Sequence, residues 1–490
     1  MLHRVRWHRV SALAVATALL VAVEAAQAAV PITEVTNDPF SNPQSQHATA
    51  VEPDTFAFGN TIVTVSQVGR YFDGGASGTG FATSTDGGAT WTSGVLPGLT
   101  VHQSPPGPYD RVTDPVIAYD PQDGVWLAQS LALTEAGGLT GVAVVVNRST
   151  DGLTWSGPVV AAQAGPGQDF DKNWLACDTH PASPHYGNCY ATWDDFGNGN
   201  LLLQNRSTDG GLTWSNPVPT GNNATGLGGQ PVVQPNGDVI IPAGNAFLTA
   251  IIAFRSTNGG VSWSNAALVS PAPTHTVAGN LRTDALPSAE IDAAGRVYVV
   301  WQDCRFRKAC KVNDLVMTTS TDGLTWTPVT RIPIDSLNSG VDHFIPGLGV
   351  DPSSTTGQLA LTYYFYRSSR CNKKSPCQLE VGHVQSDDGG VNWSPPTDVA
   401  GPFAVTWVAD TTQGRMVGDY ISTSWLNGRA WPAFAVASAP VGTAFDEPIA
   451  VPTGGVIAAT GGFVNNSSGE HPVADAASDH ASPRSPIRHR

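Results

Sequence analysis

Ser84-Thr85-Asp86-Gly87-Gly88-Ala89-Thr90-Trp91 is the stretch that decides the fold, because the chain writes it again and again. The same order of residue types returns at Ser149–Trp155, Ser207–Trp214, Ser256–Trp263, Ser320–Trp326 and Ser386–Trp393. Successive copies start 65, 58, 49, 64 and 66 residues apart. The copies at Ser149 and Ser320 lack one residue, and the fourth carries Asn258 where the others carry Asp. A period of this length is the mark of a repeat architecture.

Each position in the motif has a physical task. The Asp or Asn side-chain oxygen accepts hydrogen bonds from turn amides, and Gly supplies the left-handed backbone that a tight turn needs. The Trp fills an apolar gap beside the turn, where its indole N–H wants an acceptor. Apolar or alternating runs precede the copies, as at Gly141–Asn147, Leu201–Asn205, Ile251–Phe254 and Leu315–Thr319, and a second run follows each. Every copy therefore reads as strand, turn, strand.

The motif resembles the Asp-box of the sialidase superfamily, and as a repeat it covers nearly the whole chain beyond the leader. The resemblance implies an all-β fold, a β-propeller of four-stranded antiparallel blades. The fifth repeat shows the room for four strands: Ser288–Ile291, Val297–Trp301, Leu315–Thr319 and Val329–Ile332. After the sixth box, Asp419–Ser424 and Trp431–Ala437 remain without a box of their own, and Ile32–Thr36 precedes the first blade. The expected count is seven blades, with six as the alternative. The N-terminal strand would close the last blade and so remove the free sheet edges.

Composition agrees. The 490 residues include 52 Gly, 37 Pro and 14 Trp with only 3 Met, as many short strands and turns would require. A formal charge of −15 argues against a nucleic-acid partner and speaks for solubility. Arg4, Arg6 and Arg9, the apolar run Ser11–Val23 and Ala26-Gln27-Ala28 have the order of a secretory leader, too short to span a bilayer. The expected organisation is a signal peptide over 1–28, the propeller over 29–466 and a disordered tail over 467–490. The product is expected to be a secreted monomer without a membrane span. The six cysteines fall in close pairs, Cys177 with Cys189, Cys304 with Cys310 and Cys371 with Cys377, which in an exported chain reads as three local disulfides. No ligand spacing points to a metal, and no phosphate-binding or nucleotide loop points to a cofactor.

In a propeller the box turns lie on one face, and function is expected on the other. Basic loops map there, with Arg305, Arg307, Lys308 and Lys311 in one and Arg367, Arg370, Lys373 and Lys374 in the next. The starts of the innermost strands carry Asp110, Arg111 and Asp114, then Asp169, Asp171 and Lys172. Arg282 and Asp284, Asp342 and His343, and Arg415, Asp419 and Tyr420 hold the same place in later repeats. Guanidinium groups in a concave mouth suit carboxylate or sulfate ligands. The same residues also have a structural reading, since buried strand ends are often satisfied by such side chains.

Sialidases use a Tyr nucleophile with a partner acid, a separate Asp acid/base and three arginines on the substrate carboxylate. Residue by residue, the resemblance implies Tyr420 as nucleophile with Glu290 as its base, Asp114 as acid/base with Asp171 second, and Arg111, Arg282 and Arg415 as the triad, with Asp171 and Lys172 also at the substrate. The first triad position departs from the family, having Arg111-Val-Thr where Arg-Ile-Pro is expected and lying one repeat late. Two functions follow. One is an exo-α-sialidase-type retaining glycosidase; the other is a non-catalytic propeller that binds an extracellular glycan or protein. Convergence of the three arginines on one point, with a Tyr and an Asp around it, separates them.

Overall fold

The computed structural model describes residues 30–372 and 374–459 and the backbone of Val464–Asn465. The expected leader (1–28) and tail (467–490) fall outside the described residues. Among the described residues helix is confined to three-residue turns, and none is long and apolar enough to cross a membrane.

Strands alternate with turns throughout, and the pairings between neighbouring strands are antiparallel hairpins. The first sheet is built from Ala50–Phe58, Thr61–Arg70, Ala76–Ser84 and Thr92–Val95. The second follows as Arg111–Asp120, Val125–Thr134, Thr140–Ser149 and Val159–Gln163, joined to the first by one pair, Ala76 with Val112. The third takes Phe170–Cys177, Cys189–Asp195, Leu201–Ser207 and Val218–Pro219. In the fourth, Gly226–Leu227 and Val232–Val233 both pair with Val239–Asn245, ahead of Ala250–Ser256 and Ala267–Pro271. The fifth has Ser288–Ile291, Val297–Asp303, Asp314–Ser320 and Thr330–Arg331, within two residues of the strands read from the sequence. Asp342–Val350, Leu359–Tyr366, Gln378–Ser386 and Thr397–Ala404 form the sixth. In the last, Ser422–Leu426, Arg429–Ala435 and Ile449–Pro452 are joined by the N-terminal strand Ile32–Glu34.

The first strands of successive sheets lie against one another, and Ser422–Leu426 also lies against Ala50–Phe58. These strands are the most buried, whereas fourth strands such as Thr92–Val95 are largely exposed. The apolar core therefore sits between sheets. Val63, Val65 and Phe81 of the first meet Ile117, Trp126 and Val145 of the second, and Tyr298, Leu315 and Met317 of the fifth meet Leu348, Leu361 and Tyr363 of the sixth.

The boxes fasten these interfaces. In the first, Gly88 N donates to Ser84 Oγ (2.7 Å), Ser84 Oγ donates to Asp86 Oδ1 (2.8 Å) and Thr90 N donates to the same oxygen (2.9 Å). Hydrogen bonds from Thr90 hold the Asp86 carboxyl down at about 2. The box Trp then plugs the seam with the preceding sheet: Trp155 packs with the first-sheet residues, Trp263 with Tyr190 and Leu202 of the third, and Trp393 with Tyr298 and Met317 of the fifth. Burying an indole this way contributes roughly 1.5–3 kcal/mol. Trp393 Nε1 finds the Gly390 carbonyl at 3.0 Å, but Nε1 of Trp155, Trp214 and Trp263 is buried without an acceptor among the described residues. Apolar burial outweighs the indole hydrogen bond in those boxes.

All three expected disulfides are present, Cys177–Cys189 across adjacent strands and Cys304–Cys310 and Cys371–Cys377 within loops.

Candidate functional site

Four first strands carry the same irregularity. Their register shifts between Val51 and Asp54, Thr113 and Val116, Asp171 and Trp174, and Phe344 and Gly347. At each shift one non-glycine residue sits in the left-handed region: Glu52 (φ 53°), Asp114 (φ 49°), Lys172 (φ 40°) and Ile345 (φ 49°). A bulge re-aims a side chain that would otherwise follow the pleat, and such backbone costs roughly 1–3 kcal/mol unless its surroundings hold it.

Three of the four bulged residues meet. Lys172 Nζ lies 3.1 Å from Glu52 Oε1, 3.1 Å from Asp114 Oδ1 and 2.8 Å from Asp419 Oδ2. Arg282 Nε donates to Asp419 Oδ1 at 2.7 Å, and its Nη2 pairs with the other oxygen. Gln67 donates to Glu52 and to Thr113 Oγ1 (2.8 Å) and accepts from Arg70 Nη1 (2.7 Å). None of the ion-paired side chains is more than 3% exposed. Three carboxylates thus face three cations inside the protein. Burial pushes the Glu52 carboxyl up to about 7 against the pull of Lys172. Burial opposes the charge on Lys172 too, yet Asp114, Asp419 and Glu52 outweigh it and hold the ammonium well above its ordinary range.

This end is closed over. The hairpin Ala409–Thr411 with Gly414–Met416 lies across it, bridged to residues 280–282 by Arg282 N to Arg415 O and Arg415 N to Asn280 O, both 2.7 Å. Gly414 (φ 120°) must be glycine, since a Cβ would stand 2.4 Å from the Asn280 carbonyl. Gln46 clasps the hairpin through the backbone of Asp410, and Glu52 N donates to Val417 O at 3.1 Å.

The residues expected from the sequence are distributed as follows. Asp114, Lys172 and Arg282 come together in the charge cluster. Tyr420 stands beside it, its ring 4.9 Å from Trp174 and its hydroxyl donating to the Pro115 carbonyl at 3.0 Å; burial pushes the phenol far up. Asp171 is buried next to Lys172 and accepts from its backbone N–H at 3.1 Å. Arg111 lies elsewhere, bound to Asp73 (2.5 Å) and Glu135 (2.6 Å) and stacked on Tyr71. Arg415 donates to the Val408 carbonyl at 2.9 Å and faces Asp410 at 3.7 Å. The three arginines have separate sets of partners. Glu290 stands apart from the cluster, in the lining of a cavity at the far ends of the first strands.

Of the basic loops, Arg305 is paired with Asp303, and Arg307 is buried between Asp314 and Asp335. Asp314, Asp335 and His343 are close enough together to ligate a cation, but Arg307 and Arg331 occupy both carboxylates. Lys308, Lys311, Arg370 and Lys374 are exposed and form no ion pair among the described residues; Lys373 lies outside them. Glu52, Gln67 and Arg70 were missed as cluster members. The signal for Glu52 was present: Glu52-Pro53 and Asp114-Pro115 occupy one strand position in successive repeats.

Towards the box face the channel widens to a cavity of about 160 Å³. Residues from the first strands surround it, among them Asp54, Trp174, Gln230, Glu290 and Trp425, with His180 at the rim. Asp54 Oδ2 accepts from Ile117 N at 2.8 Å, and burial lifts its carboxyl to about 7. Burial, then the proximity of Asp54, lifts Glu290 to about 8.

Residues 143–349 match the family described as a BNR repeat-like domain. No curated protein matches the chain. Solved structures resemble it at a distance. A protein of unknown function from Dyadobacter fermentans is 18% identical, with a TM-score of 0.46 over 74% of this chain and 100% of that one. The leech intramolecular trans-sialidase is 14% identical, with a TM-score of 0.45 over 68% and 67%. The Trypanosoma rangeli sialidase is 12% identical, with a TM-score of 0.41 over 86% and 60%. From the six boxes, the seams they fasten and the match over 143–349, the chain has a BNR/Asp-box, propeller-type fold.

Proposed function

We propose that this protein is an exported propeller that binds an acidic extracellular glycan or glycoprotein and does not hydrolyse sialosides. One observation carries the reading. Every cation expected to hold a substrate carboxylate already has a partner within the chain, whereas Lys308, Lys311, Arg370 and Lys374 on the two disulfide-closed loops are exposed and unmatched. The fifth and sixth sheets that carry these loops are neighbours, so the loops offer one basic rim on an acidic molecule. The Tyr420 hydroxyl is engaged by a backbone carbonyl, and Glu290 stands at the other end of the channel, which leaves the expected nucleophile without its base.

The same reading takes residues 29–466 as a monomeric seven-bladed propeller, released from a leader over 1–28 and followed by a tail over 467–490. Pairing of Ile32–Glu34 with Ile449–Pro452, and contact of the last first-strand with the first, support closure by the N-terminal strand. Three disulfides support export to an oxidising compartment.

The test is a fluorogenic α-sialoside assay beside an array of sialylated and sulfated glycans. No turnover is expected. Binding should weaken with salt and drop about tenfold in a Lys308→Glu/Lys374→Glu variant. Turnover that disappears in both Arg282→Ala and Tyr420→Phe would replace this reading with the sialidase one.

A further inference from the structure

We propose that the cavity on the box side of the channel is a second binding site, built for one neutral, hydroxyl-rich ring such as the terminal sugar of a glycan. It is independent of the basic rim, which belongs to the opposite face.

Phe56, Ala57 and His180 at the outer end are half-exposed and Pro352 is exposed, so the cavity opens to solvent there. Its inner end is closed by Trp174 against Tyr420 and by the charge cluster beyond. At about 160 Å³ it holds on the order of ten waters. One monosaccharide ring has a comparable number of heavy atoms.

The lining supplies what such a ring needs. Trp174 and Trp425 are half-buried indoles from the third and seventh sheets, able to cover the apolar C–H faces of a sugar. Glu290 projects from the fifth sheet and Asp54 from the first, so hydrogen-bonding groups arrive from widely separated strands. Trp425 Nε1 is buried without an acceptor among the described residues. Apart from Arg111–Asp120, which also meets the first sheet through Ala76 and Val112, each first strand pairs with a strand on one edge only.

The electrostatics select a neutral ligand. No cation stands among the cavity-lining residues, so an anion would find carboxyl groups and nothing to balance it. A metal ion finds no trio of ligating atoms there; the trio present among the described residues is Asp314, Asp335 and His343. Glu290 and Asp54 keep their protons close to neutral pH, and a protonated carboxyl both donates and accepts, as paired hydroxyls require.

The experiment titrates the full exported protein with neutral methyl glycosides of hexoses, pentoses and N-acetylhexosamines, with a methyl sialoside as the anionic comparator, reading tryptophan fluorescence and heat. At least one neutral glycoside should quench saturably in the millimolar range, and the sialoside should not. Glu290→Leu should weaken that binding about tenfold. Glu290→Gln, which keeps a donor and an acceptor, should recover part of the loss. Pro352→Trp, at an exposed rim position, should block the mouth. Thermal melts and binding of the acidic glycan at the basic rim show that each variant is folded. Failure of every neutral glycoside to bind wild type overturns the proposal, and so does binding that both Glu290→Leu and Pro352→Trp leave intact. Either result leaves the basic-rim reading standing, whose own failure is read on the acidic array.

Discussion

The two ends of the channel are lined by the same first strands, yet they are opposite in kind. At one end Glu52, Asp114 and Asp419 are matched by Lys172, Arg282 and Arg70, and a hairpin covers them. At the other, Asp54 and Glu290 face a cavity with no Lys or Arg among its lining residues, and burial raises their carboxyls to about 7 and about 8, as it raises Glu52 to about 7 against the pull of Lys172. A buried carboxyl thus has two ways to avoid an uncompensated charge, by pairing or by staying neutral. Pairing builds a rigid plug, whereas neutrality leaves a polar space that a ligand can enter.

The largest effect is expected at the closed end. Lys172→Met leaves three buried carboxylates facing one another and should destabilise the fold by about 3–5 kcal/mol in urea unfolding. Adding Glu52→Gln to that variant should recover part of the loss. A Lys172→Met protein as stable as wild type would mean that the cluster is solvated and the contrast between the ends false.

At the open end the effect depends on pH. Asp54 and Glu290 have folded pKa values of about 7 and about 8, above their ordinary 3.8 and 4.5. The folded state therefore binds more protons through that window. Their stability contribution is complete below about pH 4 and is lost as pH rises through 7 and 8. Glu290→Gln should gain on the order of 1–3 kcal/mol relative to wild type at pH 9 and close to nothing at pH 4, read from melting curves at both values. The box carboxylates work in the other direction: Asp151 is held at about 2 by turn amides, so its share is present above pH 4 and disappears as pH falls through 2.

Smaller effects belong to the boxes. Ser207→Ala removes the acceptor of Gly211 N (2.9 Å) and should cost about 1 kcal/mol in urea unfolding. Smallest of all, Asn258→Asp should change stability by no more than about 0.5 kcal/mol, because either side chain can accept from Ser262 N.

The boxes were legible because each closes within eight residues, and so were the disulfides, formed by cysteines 12, 6 and 6 residues apart. Strand positions followed from the hairpins. The site was legible in part. Asp114, Lys172 and Arg282 stood out as charged residues at the starts of first strands, and they do meet. The side chains of Arg111 and Arg415 are held by partners that Arg282 does not share, since a side chain's position in its strand does not say which neighbour will neutralise it. Asp73 and Glu135 claim Arg111 from loops beside it. Glu290 is in the strand after Arg282, but that strand carries it to the far end of the channel.

What the sequence by itself determined is whatever local chemistry closes: six turns, the hairpins around them, the loop disulfides and the all-β architecture that their repetition demands. Only the tertiary structure decided which charges pair and which face open space. Glu52 meets Lys172 across 120 residues of chain, and Asp419 meets Arg282 across 137. Such contacts depend on the angle between sheets and on the bulges that turn a strand residue toward the axis. Both are products of packing between sheets.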